Sequence, residues 1–318
     1  MSEVIQSMTN IESLISAIQD AESTGPLYKN ELLTGFSGES LYGTLQRLAR
    51  HLVDTDQCYL EVGVFQGMTL LSVAGSLESG LAYGIDNFAF FDPDQKNQGI
   101  VRERMEKLGI DNAVLIDQDY EDALEKLDRY IGSKKVGLYF VDGPHDYRSQ
   151  LMCLLYIRPF LAERCAIVVD DCNYQHVRQA NCDFLRAFPE FKLLFDSYTP
   201  AHPANLAGLE LEKARAGWWN GVNILVRDPA DELAPSFPPT ERDRTLFEND
   251  HLIHAAQFPA DANEALRLLR TLKTLQWHKT IILMLKHIFS RSTIRGKYRS
   301  MNTSSEGLPK SRFAQMKS

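Results

Sequence analysis

Between residues 58 and 169 the chain repeats one pattern. A short, unbroken apolar run comes first, and a helical stretch follows. The runs cover residues 58–62, 82–85, 113–116, 136–141 and 165–169. Helical patterns cover 68–77, 102–108, 121–131, 149–161 and 176–188. Unbroken runs, rather than apolar–polar alternation, mark strands buried on both faces, and both faces are buried when helices cover a parallel sheet. Two further runs, 192–195 and 222–226, bring the count to seven. The expected class is α/β, a mostly parallel seven-stranded sheet with helices on both faces. In such sheets ligands bind beyond the carboxyl ends of the strands. The polar residues at those ends are therefore the candidates for function: Glu61, Gly63, Asp86, Asp119, Asp142, Asp170 and Asp171.

The flanks differ from this central block. Residues 1–50 read as an N-terminal helical cap, with Leu41, Leu45, Leu48 and Leu52 on one helical face. Residues 51–229 hold the alternation. Residues 230–318 read as a helical C-terminal extension that opens on a Pro- and acid-rich linker or surface loop. Within it, 246–290 look helical, and the last 25 or so look like a solvated basic tail without structure. From residue 286 onward there are eight basic residues and one acidic residue. This leaves −15 on the remainder of a chain whose net charge is −8. A body this acidic is not built as a general nucleic-acid binder. The five cysteines are odd in number and form no CxxC pair, so the expectation is reduced, buried thiols in the cytoplasm. The N-terminal residues lack the pattern of a signal peptide. No apolar stretch is long enough to be a transmembrane segment. A homo-oligomer acting on a small molecule, without nucleic acid, is the expected assembly.

The first strand end reads Glu61-Val62-Gly63-Val64-Phe65-Gln66-Gly67. Glycine at a strand end lets a ligand approach the backbone. The loop is neither GxGxxG nor a Walker loop, and an acid before the first glycine suits a cationic ligand better than a phosphate. Asp86 ends the second strand, where a carboxylate can accept ribose hydroxyls. That fits a nicotinamide dinucleotide or S-adenosylmethionine, and the missing GxGxxG favours the second. Asp142 follows strand four, and Asp170-Asp171 follow strand five. Converging carboxylates need a counter-charge, which all-oxygen ligation would provide as Mg²⁺, Mn²⁺ or Ca²⁺. Alternatively, one or two of the acids cap the helices that follow. His145 lies three residues past Asp142 and is either a general base or a hydrogen-bonded bystander.

Other residues also read two ways. Phe88 covers a ligand or packs in the core. The long insertion before the last strand carries His202, Trp218 and Trp219, which stack on an acceptor or anchor the insertion on the sheet. His251 and His254 have i,i+3 spacing but no evident third ligand. They read as surface or core.

The ExGxxxG of Glu61 to Gly67, the strand-two acid Asp86 and the Asp170-Asp171 pair resemble class I S-adenosylmethionine-dependent methyltransferases. The segments Val141-Asp142-Gly143-Pro144-His145-Asp146-Tyr147 and Val168-Val169-Asp170-Asp171-Cys172-Asn173 are similar to a metal-dependent subset. It comprises macrocin- and mycinamicin-type sugar O-methyltransferases, cephalosporin-hydroxylase-like proteins and catechol O-methyltransferases. The resemblance spans about residues 35–228 and implies a Rossmann-like seven-stranded sheet. It further implies that Glu61, Gly63 and Gly67 line the methionine part of S-adenosylmethionine and that Asp86 holds its ribose. Asn87, Asp119, Tyr120 and Asp142 would complete the cofactor site. Asp142, Asp170 and Asp171 would bind Mg²⁺ or Mn²⁺, with His145 and Asp142 as the catalytic pair. Phe88, His202, Trp218 and Trp219 would face the acceptor. The implied function is Mg-assisted O-methylation of a hydroxyl on a sugar or secondary metabolite. The competing readings are a metal-independent N- or C-methyltransferase, a dinucleotide oxidoreductase, or a non-catalytic partner protein that keeps the fold.

Overall fold

The computed structural model describes residues 10–89, 91–242, 260–285 and 311–316. Among the described residues eight strands form one sheet in the order β3-β2-β1-β4-β5-β7-β6-β8. They are β1 Gln57–Val62, β2 Ala82–Ile85, β3 Ala113–Ile116, β4 Lys135–Val141, β5 Leu161–Val169, β6 Phe191–Ser197, β7 Val222–Arg227 and β8 Ser311–Phe313. The first five pair in parallel, whereas β7, β6 and β8 join antiparallel. The chain reverses direction of build at β1/β4, the switch point at which α/β sheets open a ligand crevice.

Each central strand is buried on both sides, as unbroken apolar runs require. In β4, Leu138 and Phe140 face one core, while Val136, Tyr139 and Val141 face the other. The first face is covered by α1 Asn10–Thr24, α2 Glu39–Leu52, α3 Met68–Ser76 and α4 Asn97–Leu108. The expected face of α2 is the one it buries, with Leu41, Leu45, Leu48 and Leu52 all enclosed. The opposite face carries α5 Tyr120–Glu125, α6 Asp128–Ile131, α7 Tyr147–Ile157 and α8 Gln175–Ala187. Between β6 and β7 the insertion forms α9 Gly208–Ala216. All five cysteines are free and buried.

The sheet has one strand more than the sequence pattern predicts. Residues 311–313, expected in a solvated tail, form β8 on the edge of β6. Two contacts account for this. The Phe313 ring packs 5.0 Å from Phe195. The Arg312 guanidinium donates from Nε and Nη2 to the Asp196 carboxylate at 2.7 and 2.9 Å. Asp196 has no solvent exposure, so its charge needs this partner. A chain of buried polar groups runs inward from it. Tyr198 Oη donates to Asp196, and Asn223 Nδ2 to Tyr198 Oη. Asn181 Nδ2 donates to Asn223 Oδ1, and Gln150 Nε2 to Asn181 Oδ1. The Pro- and acid-rich stretch is not free either: Leu233 is fully buried and bridges Met316, and Asp228 accepts the Glu232 and Leu233 N–H groups.

By its contacts the chain forms two units, one of residues 1–240 with 305–318 and one of residues 241–304. The second contains α10 Ala260–Lys273, a turn at 274–276 and a helical stretch over 277–285. Residues 251, 254 and most of the basic tail lie outside the described residues.

Removing Arg312 leaves a buried carboxylate unpaired. Arg312→Ala is expected to lower unfolding stability by roughly 2–4 kcal/mol, because breaking one side of such a pair strands the other charge. Adding Asp196→Asn to the same chain should recover most of the loss in a denaturant titration. No recovery would mean that the pair is not what holds β8.

Candidate active site

The site grows from the contact between the ends of β1 and β4. Asp142 N donates to Val62 O, and Gly63 N donates to Ile85 O, both at 2.9 Å. Gly63 has φ +91, and a Cβ there would stand 2.0 Å from the Asp142 carbonyl oxygen. No other residue can occupy it. Phe65 (φ 50) and Gly67 (φ 79) repeat the left-handed turn before α3 begins. A non-glycine residue held there signals a functional constraint on the loop.

Asp86 closes this loop. Its Oδ2 accepts the Val64 and Phe65 N–H groups at 2.9 and 2.8 Å, and its Oδ1 accepts Phe88 N–H at 2.7 Å. A carboxylate offers about four acceptor positions, so about one is left for a ligand hydroxyl. Glu61 is fully enclosed beneath the loop. Tyr59 Oη donates to it at 2.6 Å and Thr69 Oγ1 at 3.2 Å, tying β1 to α3. Burial outweighs these bonds and pushes its pKa up to about 8.

At the ends of β4 and β5, Asp142, His145 and Asp171 converge, with ligand atoms all within 4.8 Å of one another. His145 Nε2 lies 2.8 Å from Asp171 Oδ2. The His145 ring stacks on Tyr174 at 5.5 Å and 8°. The His202 ring lies 6.2 Å from that of Tyr174 and close enough to Asp171 and His145 to feel their charges, and its Nδ1 accepts Ala204 N–H, so in the neutral ring Nε2 carries the proton. Asp171 sits at φ 56, a left-handed conformation that Asp tolerates, and takes a further hydrogen bond from Asn220 Nδ2. The Asn220 Oδ1 is buried and has no partner among the described residues.

The charges are unequal. Burial raises the Asp142 pKa well above the carboxylate range, with Asp170, Asp171, Glu61 and Asp86 adding repulsion. Burial and Asp171 do the same to Asp170. Burial also opposes ionisation of Asp171, but the charge and hydrogen bond of His145 prevail and hold it low. For His145 burial disfavours the cation, and Asp171 again prevails, so its pKa is raised. Acids crowded this way fit a bound divalent cation, which would let them ionise together.

The remaining expected residues take other places. Asp170 is 2% exposed and its Oδ1 accepts its neighbour's N–H, so among the described residues the converging set has His145 where the sequence suggested Asp170. Asp119 caps α5 through Glu121 N–H, Tyr120 Oη donates to Glu121, and Asn87 accepts Ala89 N–H in a local turn. Phe88 packs against the first core. Trp218 is an anchor rather than an acceptor wall. It is 5% exposed, packs on Phe195 at 4.8 Å, and donates Nε1–H to Glu22. Trp219 instead meets Phe36 at 6.3 Å, and Phe36 stacks on Phe65 at 5.1 Å. Sequence reasoning missed Asn220, Tyr174, Phe36 and Phe65. Only Asn220, in the Asn-Gly turn signal before β7, had a visible cue.

Residues 60–172 match the family model described as a methyltransferase domain. The matched segment runs from β1 to the turn after β5 and so holds both the glycine loop and the converging acids. No curated protein matches the chain. Several solved structures are similar. An O-methyltransferase from Bacillus cereus, solved with SAH, aligns with TM-score 0.45 at 14% identity over 71% of this chain and 94% of its own. The O-methyltransferase TomG from Streptomyces achromogenes, involved in tomaymycin synthesis and solved with SAM, gives 0.46 at 15% over 71% and 93%. An rRNA methylase from Streptococcus thermophilus gives 0.41 at 17% over 58% and 95%.

Asp86→Ala leaves three loop N–H groups without their acceptor. We expect a loss of about 1–3 kcal/mol in stability and at least about tenfold in S-adenosylmethionine affinity. Asp86→Asn, which keeps one carbonyl oxygen with two lone pairs, should fall between. Calorimetric titration with parallel denaturation checks both. An alanine variant that binds as well as the parent removes Asp86 from the cofactor site.

Proposed function

We propose that the protein is an S-adenosylmethionine-dependent O-methyltransferase, assisted by Mg²⁺ or Mn²⁺, acting on a hydroxyl of a sugar or secondary-metabolite acceptor in the cytoplasm. The observation that carries this reading is the convergence of Asp142, His145 and Asp171 at the carboxyl ends of adjacent strands. Asp142 and Asp171 would hold the cation, with Asn220 steadying Asp171, and His145 beside them is left free to act as the base. When bound, the cation lowers the pKa of an acceptor hydroxyl and S-adenosylmethionine supplies an electrophilic methyl group.

The chain's own residues do the rest. The glycine loop, fixed by Asp86, forms the floor against which the cofactor would lie. His145, held by Asp171 and stacked on Tyr174, takes the hydroxyl proton only when its imidazole is neutral. Its pKa is raised, so activity should rise as pH climbs through that value. The ion pair's own stabilisation runs the other way. On the His145 side it is fully present below the ordinary histidine value near 6.5 and is lost as pH rises through the raised one. The acceptor would enter beside Trp219, where a cleft of about 480 Å³ is lined by Tyr28, Phe36, Ser37, Met68 and Arg215. Ser37 Oγ is buried there without a partner among the described residues. Asp142 and Asp171 do not line this cleft. Asn220, next to Trp219, links the two regions.

A second reading keeps the cofactor and omits the cation. It is favoured by the direct His145–Asp171 pair, which satisfies both groups without a metal. Chelation separates the two. With a panel of sugar and phenolic hydroxyl acceptors, EDTA should abolish methyl transfer and Mg²⁺ should restore it, and Asp171→Ala should reduce turnover by about 10²–10⁴-fold. Full activity in EDTA would sink the metal-assisted reading. No S-adenosylmethionine binding under any condition would sink both.

A further inference from the structure

We propose that the helical unit around residues 260–285 is a peripheral anchor that lays the protein on an anionic lipid surface. Three observations carry it. The first is charge segregation. Residues 260–285 carry four Lys and Arg against Asp261 and Glu264 in the first turns of α10, and residues 286–305 add five more Lys and Arg with no Asp or Glu, in a chain whose net charge is −8. The second is an exposed apolar face on the same segment. Leu266 and Leu269 are one helical step apart on α10. Trp277, Ile281 and Leu285 stand four apart on the next helical stretch. All five are about half exposed or more, Trp277 at 59%. Leu275 at the turn is 69% exposed and held at φ 54, so the tip of the hairpin is also apolar. The third is a groove of about 380 Å³ between the two helical stretches, lined by Arg267, Arg270, Thr271 and Lys279 beside Ile282 and Leu283. Among the described residues no carboxylate lines it. Among the described residues none of the three cations has an ion-pair partner.

This combination selects the occupant. Inside the unit the two stretches touch through Thr271 and Thr280, whose hydroxyls lie 3.0 Å apart, leaving the larger apolar side chains outside. A nucleic acid would satisfy the cations but leave Trp277, Ile281 and Leu285 in water. A second copy would cover the apolar face but bring two strongly basic segments together. A bilayer interface offers both halves: phosphate headgroups for Arg267, Arg270 and Lys279, and acyl chains for the apolar face, with Trp277 at the boundary. No described helix is long and apolar enough to cross a membrane, so the mode is lying on the surface rather than spanning. The inference is independent of which acceptor is methylated.

Flotation of the 318-residue chain with vesicles tests it. We expect binding to phosphatidylcholine vesicles containing phosphatidylglycerol, weak binding to phosphatidylcholine alone, and release at high salt. Each cation near such a surface contributes about fivefold to partitioning, so Arg267→Glu, Arg270→Glu and Lys279→Glu together should weaken it at least about a hundredfold. Trp277→Ala should weaken binding and remove the blue shift of tryptophan emission that vesicles induce. S-adenosylmethionine titration of each variant verifies that the methyltransferase domain is intact. The proposal is overturned if neutral and anionic vesicles are bound equally or not at all. It is likewise overturned if the chain is retained by RNA but not by vesicles, or if sedimentation shows a dimer that Trp277→Ala dissolves.

Discussion

The site depends on one close approach, the backbone of Gly63 against the carbonyl of Asp142. Strands β1 and β4 are neighbours in the sheet and end level with each other, so their exit turns compete for the same space. Only a residue without a Cβ lets both turns stand. Once they do, Glu61 is driven beneath the loop, Asp86 can reach across to the Val64 and Phe65 amides, and Asp142 is held facing Asp171. A single missing methyl group thus sets the positions of four carboxylates.

Those carboxylates are crowded more tightly than their solvation allows. Burial and mutual repulsion raise Asp142, Asp170 and Glu61, while the one acid with a cationic neighbour, Asp171, stays low. The pattern resembles a socket whose charge is incomplete. His145 completes it in part, and the loop bearing His145 is long enough to bring a ring nitrogen into a place that strand geometry alone would leave to Asp170. Tyr174, just past the end of β5, stacks on the His145 of this socket, while Phe36, Phe65 and Trp219 form a separate aromatic group at the cleft.

Much of this was legible in the residues. Unbroken apolar runs gave both-sided burial, and the glycine and acids after them marked the edge where ligands bind. What was not legible depends on direction rather than order. Asp170 and Asp171 are adjacent in sequence, yet one turns its oxygen back to the chain and the other turns out at a left-handed φ. Trp218 and Trp219 are likewise adjacent, but the first is sealed in the core and the second faces the cleft. Strand β8 left no trace as an apolar run because only Phe313 of its three residues is apolar, and it is half-buried against the sheet. Its signal was the need of Asp196 for a cation, which appears only once β6 is known to be enclosed.

That last strand also affects how the sheet is completed. Asp196 and Arg312 are 116 positions apart, so β6 is made long before the residues that cover its flank. Until they arrive, β6 presents open backbone groups and a bare carboxylate. The open groups invite pairing with any strand nearby, and the charge repels an apolar one. The buried aspartate therefore serves as a gatekeeper during assembly and as an anchor afterwards. It discourages the wrong neighbour at an unfinished edge and then rewards the one segment that brings an arginine.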